Sequence, residues 1–367
     1  MMRIGWLGVW VMSLVGTAIA DFVHPGIAHS KESLVLVKGK IEAGKEPWKS
    51  SWEALKESRY ANLDWEPRTR ARVERGPSNR LREGSDEYLR DADAAYTHAL
   101  IWALSGEEAH ARKAAEILDA WSGTLKSIEN HDAKLLVGMA GYPFCNAAEL
   151  LKHTWDGWPE DRQERFGTML RKIWNPIIRD FYPTANGNWD ASMIQTLMAM
   201  GVFLDDQVMF DWGKNYYLHG SGNGAIGNYF KKSGQCQESG RDQLHTHMGL
   251  EFLSNACETA WTQGIDLYGA QDNLLLKGFE YTAKYNLGNE VPYEPYRSVD
   301  GRYLYRGISD KGRGRLSPIY EKVFNHYHHR KGLEAPFVKK VLEKGRSGRR
   351  DRGSSARETL MFSGEED

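Results

Sequence analysis

Residues 235–263 read QCQESGRDQLHTHMGLEFLSNACETAWTQ. Within them Glu238, Arg241, Asp242 and His245 bring two carboxylic acids, a guanidinium and an imidazole into a span of eight residues. Such a set can neutralise a bound anion and move a proton. If helical spacing already applies, offsets of three, four and seven place Glu238, Arg241 and His245 on one face. The helix that follows is mostly apolar, through Leu244, Met248, Leu250, Phe252, Leu253, Ala256, Cys257, Ala260 and Trp261. Its narrow polar stripe is His247, Glu251, Ser254, Glu258 and Thr262, and this pattern predicts a largely buried helix with the stripe toward water. His245 then lies on the buried side and His247 in solvent. A charged trio on a buried side is either a structural ion-pair network or an active site.

Three further stretches could contribute. In TANGNWD, residues 184–190, Asn188 reads as a helix N-cap, or as an amide at a helix mouth where outward N–H groups can hold a carboxylate. Asn186 lies beside it, and Trp189 offers an apolar plane to a sugar ring. The tyrosine-rich run 291–307 sets Tyr293, Tyr296, Tyr303 and Tyr305 among Arg297, Arg302 and Arg306. Tyrosine is a poor base at its ordinary pKa of about 10, but neighbouring cations favour the phenolate. The alternative is a set of aromatics that simply packs a loop. The glycine-rich residues 220–227 lack the Gly-Lys-Ser/Thr of a phosphate loop, which excludes nucleotide binding on that pattern. The two histidines of His-Thr-His diverge on a helix, so a shared zinc is not expected. No metal or other cofactor is called for, and the run His326–His329 reads as part of a basic patch.

The elements that position these residues are helices. Apolar periodicity predicts helical pairs over 91–104 and 107–121, 146–155 and 159–181 (kinked at Pro176), 189–204 and 206–218, 243–263 and 272–286, and 319–329 and 336–343. Earlier, a Ser30–Ser33 start and the four-residue spacing of Trp48 and Trp52 mark helix. Residues 60–90, broken by Pro67, Gly76, Pro77 and Gly84, read as a long irregular loop, and loops of that length are often functional. Strand-like alternation is confined to residues 293–306. The chain is therefore expected to be all-α, an (α/α) toroid or incomplete barrel of helical hairpins forming a single catalytic domain over residues 21–344. Residues 1–20 have the layout of a signal peptide, which predicts export to the periplasm or beyond. Residues 345–367 read as a charged, loose tail.

Composition narrows the partners. A formal net charge of −1 gives no general affinity for nucleic acid or membrane. Arg297, Arg302, Arg306, Lys311, Arg313, Arg315, His326, His328, His329, Arg330 and Lys331 nevertheless crowd one late region, which suits a polyanion bound at one place, or a solvated basic loop. The three cysteines form no disulfide framework. Oligomeric state stays open.

HPGIAHSKESL near the start, GNWD at 187–190, ESGRDQLHTHMGL at 238–250 and SPIYEKVFNHYHHRKGLEAPF at 317–337 resemble the alginate-lyase-like polysaccharide lyases with an α/α-toroid fold, family thirty-eight most of all. The resemblance covers roughly residues 22–344. It implies β-elimination on a uronic-acid polymer, alginate or glucuronan. Elimination needs the carboxylate neutralised, a base at C5 and an acid for the departing C4 oxygen. The resemblance implies that Asn188 and a protonated Glu238 bind the carboxylate with help from His245 or an arginine. It also implies that Tyr303 transfers the proton and that Arg297 lowers its pKa. Arg241, Trp189, Asn186, Tyr305, Arg302 and Tyr296 are the expected substrate contacts, and Tyr305 is the second choice of base. Two other readings remain: a glycoside hydrolase using two of Glu238, Asp242 and Asp190, or a polyuronate-binding protein without catalysis.

Overall fold

A computed structural model describes residues 21–77, 80–348 and 354–364. The expected signal peptide lies outside them. The chain opens with helices α1 (Lys31–Glu42) and α2 (Trp48–Lys56). Ser30 caps α1 in a reciprocal box with Ser33, and Trp48 and Trp52 are buried. Strand β1 (Arg72–Glu74) then leads to α3 (Ser85–Ser105) and α4 (Glu108–Thr124). Strand β2 (Ser127–Glu129), parallel to β1, precedes α5 (Ala133–Thr154). Next come α6 (Glu160–Met169), a π-helical turn over Leu170–Trp174, and α7 (Asn175–Ile178). They are followed by α8 (Gly187–Phe203), α9 (Gln207–His219), α10 (Ile226–Tyr229), α11 (Gln243–Thr262) and α12 (Ala270–Asn286). The short hairpin β3 (Tyr296–Arg297) and β4 (Leu304–Tyr305) separates these from α13 (Tyr320–Phe324), α14 (Pro336–Gly348) and α15 (Ser354–Phe362).

Helices α3, α5, α8 and α11 pack side by side as an inner layer, and α4, α9 and α12 return outside them. Every residue of α8 is buried, because neighbours cover it on all sides. This is a helical toroid, as the paired periodicity predicts. Since each outer helix returns the chain, α5, α8 and α11 run in the same direction and their N-terminal ends open at one end of the molecule.

Three expectations need correction. Helix α5 begins 13 residues before the expected start at 146, with Pro143 inside it; burial of its apolar side chains outweighs the break that proline ordinarily imposes. Pro176 does follow an irregular turn, the π-helical Leu170–Trp174. The tail is not loose over 354–362. Helix α15 packs on α2 and buries Ala356, Leu360, Met361 and Phe362, an amphipathic face that the charged composition obscured. The polar stripe of α11 is not in water either: His247, Ser254 and Glu258 are buried. Later elements supply their partners. His247 bonds the Gln243 carbonyl (2.6 Å) and the Tyr320 hydroxyl (3.1 Å), and Glu258 takes both guanidinium arms of Arg330 (2.9 and 3.2 Å).

Candidate active site

The end of the toroid where α5, α8 and α11 begin gathers most of the expected residues. Asp242 is the N-cap of α11, accepting from the His245 amide at 2.8 Å. Its carboxylate also lies 2.8 Å from His245 Nδ1. That contact assigns the Nδ1–H tautomer and leaves Nε2 as an acceptor. Burial first, then Arg241, lowers the His245 pKa, so the ring is neutral at neutral pH. The Asp242 pKa is depressed: burial would raise it, but the bonds from the His245 amide and ring outweigh that.

Glu238 sits in the turn before α11, fully buried. Its Oε1 accepts from Arg241 Nη1 at 2.9 Å and its Oε2 from the Tyr229 hydroxyl at 2.9 Å. Desolvation pushes its pKa up to about 7 against the pull of Arg241 and Tyr229. The space is tight: a Cβ on Gly249 would come within 1.8 Å of the Tyr229 hydroxyl, and one on Gly240 within 2.4 Å of Tyr305 Cβ.

On the α8 side the N-cap is Asn186, not Asn188. Asn186 Oδ1 accepts from Gln237 Nε2 (2.8 Å) and the Tyr305 hydroxyl (3.0 Å), and Gln237 Oε1 takes the Gly187 amide (2.8 Å). Asn186 is thus a joint between three segments. Asn188, in the first turn of α8, is buried and its Oδ1 has no protein partner. An unmet buried acceptor costs about 1–3 kcal/mol, so Asn188 Oδ1 calls for a hydrogen-bond donor such as a sugar hydroxyl.

The hairpin β3–β4 supplies the tyrosines. Segment 293–311 is stitched over the turn before α11 by Gln235 with Glu294 (2.7 and 2.8 Å), Ser309 with Ser239 (3.0 Å) and Gln243 with Lys311 (2.9 Å). Tyr303 and Tyr305 share a face, their rings parallel with centroids 6.3 Å apart. The Tyr305 hydroxyl is committed to Asn186, and burial raises its pKa to about 12 although Arg241 pulls the other way. Tyr303 has Arg302 beside its side chain. Arg297 pairs across the hairpin with Leu304, on the face away from Tyr303 and Tyr305. The cation beside Tyr303 is therefore Arg302, a departure from the expected Arg297. Tyr296, opposite Tyr305 in the hairpin, is buried and bonded to the Asn228 carbonyl, so its hydroxyl is committed to anchoring the hairpin.

Trp189 is 9% exposed and packs edge-on to His131 and Tyr182, with centroids at 5.5 and 5.4 Å. It backs the wall and does not face it. His131, half exposed and 2.7 Å from Asp132, and Tyr182, which Arg302 reaches, present the more accessible rings. Sequence reasoning missed His131, Tyr182, Gln237 and Tyr229, which stand in no cluster along the chain. The basic patch also divides. Lys311 lies close enough to influence His245, whereas Arg330 and Lys331 pair with Glu258 and Asp266 near the C-terminal end of α11.

The alginate lyase sequence profile matches residues 38–292, more than half of the chain. The chain belongs to the alginate lyase family. A search of curated proteins returns no match. Among solved structures, the chain is similar to an alginate lyase from Bacteroides ovatus at 12% identity and TM-score 0.66, covering 94% of this chain and all of that one. It is also similar to alginate lyase A1-III from Sphingomonas species A1 at 16% identity and TM-score 0.60, covering 85% and 91%. A variant of A1-III complexed with a tetrasaccharide gives the same values. At these identities the likeness establishes the helical toroid, and family membership establishes a polysaccharide lyase.

Family membership disfavours the hydrolase reading, and so does the geometry. Asp190 is fully buried and occupied by the Tyr182 amide (2.9 Å), the Tyr216 hydroxyl (3.1 Å) and the Gly224 amide (3.4 Å). Asp242 is spent on capping α11 and holding His245. Neither is free to pair with Glu238 across a glycosidic bond.

Proposed function

We propose that this lyase cleaves alginate, or the related polyuronate glucuronan, by β-elimination in the cleft at the N-terminal ends of α8 and α11, after export from the cytoplasm. The observation that carries the proposal is a fully buried carboxyl poised near neutrality, Glu238, in the turn before α11. Such an acid suits a carboxylate whose charge must be neutralised before the C5 proton becomes acidic enough to remove. Glu238 in its protonated form and the Asn188 side-chain N–H hold the uronate carboxylate, and Arg241 keeps Glu238 in place. Tyr303, with the Arg302 guanidinium beside it, is the base that takes the C5 proton. The C5–H electron pair forms the C4–C5 double bond, the C4–O bond breaks, and the same tyrosine returns the proton to the departing oxygen when elimination is syn. His245, neutral and oriented by Asp242, presents Nε2 to the cleft as an auxiliary acceptor. Arg302, Tyr182 and His131 line the approach for neighbouring residues of the polymer.

Paired variants test the choice of tyrosine. General acid–base groups contribute about 10²–10⁴-fold, so Tyr303→Phe should lower kcat by that order with KM little changed. Tyr305→Phe, which breaks only the bond to Asn186, should lose much less. The reverse ranking would make Tyr305 the base.

A further inference from the structure

At the opposite end of the toroid, the first described residues fold back over the C-terminal ends of the inner helices. Val23 exchanges hydrogen bonds with Gln263 just beyond α11, at 2.9 and 3.0 Å. His24 inserts between α5 and the turn after α8. Glu149 and His153 stand four apart in the last turns of α5, so they share a face, and His24 lies across from them. Ligand atoms of His24, Glu149 and His153 all fall within 4.8 Å of one another. Glu149 lies about 25 Å along α5 from its first residue, at 1.5 Å per residue, which separates the cluster from the catalytic cleft.

We propose that His24, Glu149 and His153 form a structural site for a divalent transition-metal cation of the zinc type. Three features point that way. The donor set, two imidazoles and a carboxylate, is one that zinc-type ions favour over calcium or magnesium. Asp205 Oδ1 takes His24 Nε2 at 2.8 Å, the outer carboxylate that orients a metal-binding imidazole and turns Nδ1 inward. Lastly, Glu149 is 1% exposed, yet its Oε2 has no hydrogen-bond partner, and neither has His153 Nε2, 3.6 Å away. That spacing suits two ligands of one ion better than it suits a hydrogen bond. The Glu149 Oε1 atom, 2.7 Å from His24 Nδ1 and 3.0 Å from the Gly26 amide, is already fixed. The rings of His24 and His153 are stacked at 4.2 Å and 9°, so binding requires one to turn. His153, whose Nε2 is unpartnered, is the ring that turns, and the His24 Nδ1 proton leaves as the ion arrives. The cation would fasten the start of the folded chain to α5 and to the α8–α9 turn.

Metal analysis and thermal unfolding of the full chain with Zn2+ test this. With Zn2+ at about 100 times its Kd, Tm should rise by about 3 °C, with one ion bound per chain. His153→Ala and Glu149→Gln should abolish the shift while leaving lyase activity intact. Asp205→Asn, a partly exposed position, should weaken it if the other variants fail to fold. Absence of bound Zn2+, or a shift that survives in these variants, would overturn the proposal.

Discussion

Glu238 shows how a side chain acquires chemistry from its surroundings. The sequence places it beside Arg241, which would depress its pKa; burial wins and raises it to about 7. The proposed role needs the protonated acid, so ionisation of Glu238 at about pH 7 should remove activity as pH rises. Glu238→Gln keeps a hydrogen-bond donor but cannot ionise, so the ratio of its kcat/KM to that of the wild type should climb through about pH 7; a ratio independent of pH would remove Glu238 from the carboxylate-binding role. Residue types and close spacing made the 238–245 cluster visible in advance. The placement of the two histidines was not, because a helical wheel reports which residues share a face without saying what covers it. His247 is buried against Tyr320, and His245 is the partly exposed ring. Arg297 failed for a similar reason. Neighbourhood in a tyrosine-rich run says little about sides, and the β3–β4 register decides them.

At the scale of elements, apolar periodicity located the inner and outer helices closely: 189–204 became Gly187–Phe203 and 243–263 became Gln243–Thr262. It missed the first half of α5, which runs up to and through Pro143, and it missed α15. In α15 the apolar residues of a nine-residue helix were outweighed by the Arg-, Gly- and Ser-rich residues before it. Helix α15 belongs to the fold, since Leu360 is fully buried and Phe362 nearly so. Leu360→Ala should therefore destabilise the protein by about 2–5 kcal/mol, the range for truncating a buried leucine, as measured by urea denaturation. A change below half a kcal/mol, as at ordinary surface sites, would mean that α15 docks only loosely. The polar stripe of α11 follows the same logic, since its carboxylates meet Lys322, Arg330 and Arg357 from elements up to a hundred residues later.

The whole molecule turns this helical repetition into a site. Because alternate helices share a direction, the beginnings of α5, α8 and α11 meet at one end, and the positive ends of their dipoles favour an anionic ligand there. Segment 293–311 covers that end with tyrosine and arginine, while the opposite end is fastened by residues 22–26. No helix among the described residues is long and apolar enough to cross a membrane. The architecture was predictable because hairpin pairing is a local pattern; the site depended on contacts between segments up to 119 residues apart, such as His131 near Trp189 and Asn186 with Tyr305, beyond the reach of spacing alone. Elimination on a polyuronate is open to one direct measurement. The wild-type chain is incubated with mannuronate-rich alginate, guluronate-rich alginate and glucuronan, and ultraviolet absorbance is followed alongside new reducing ends. Elimination predicts, on at least one polymer, one conjugated C4–C5 double bond for every new reducing end. Reducing ends without that absorbance would mean hydrolysis, and binding with neither signal would mean that the cleft recognises polyuronates without cutting them.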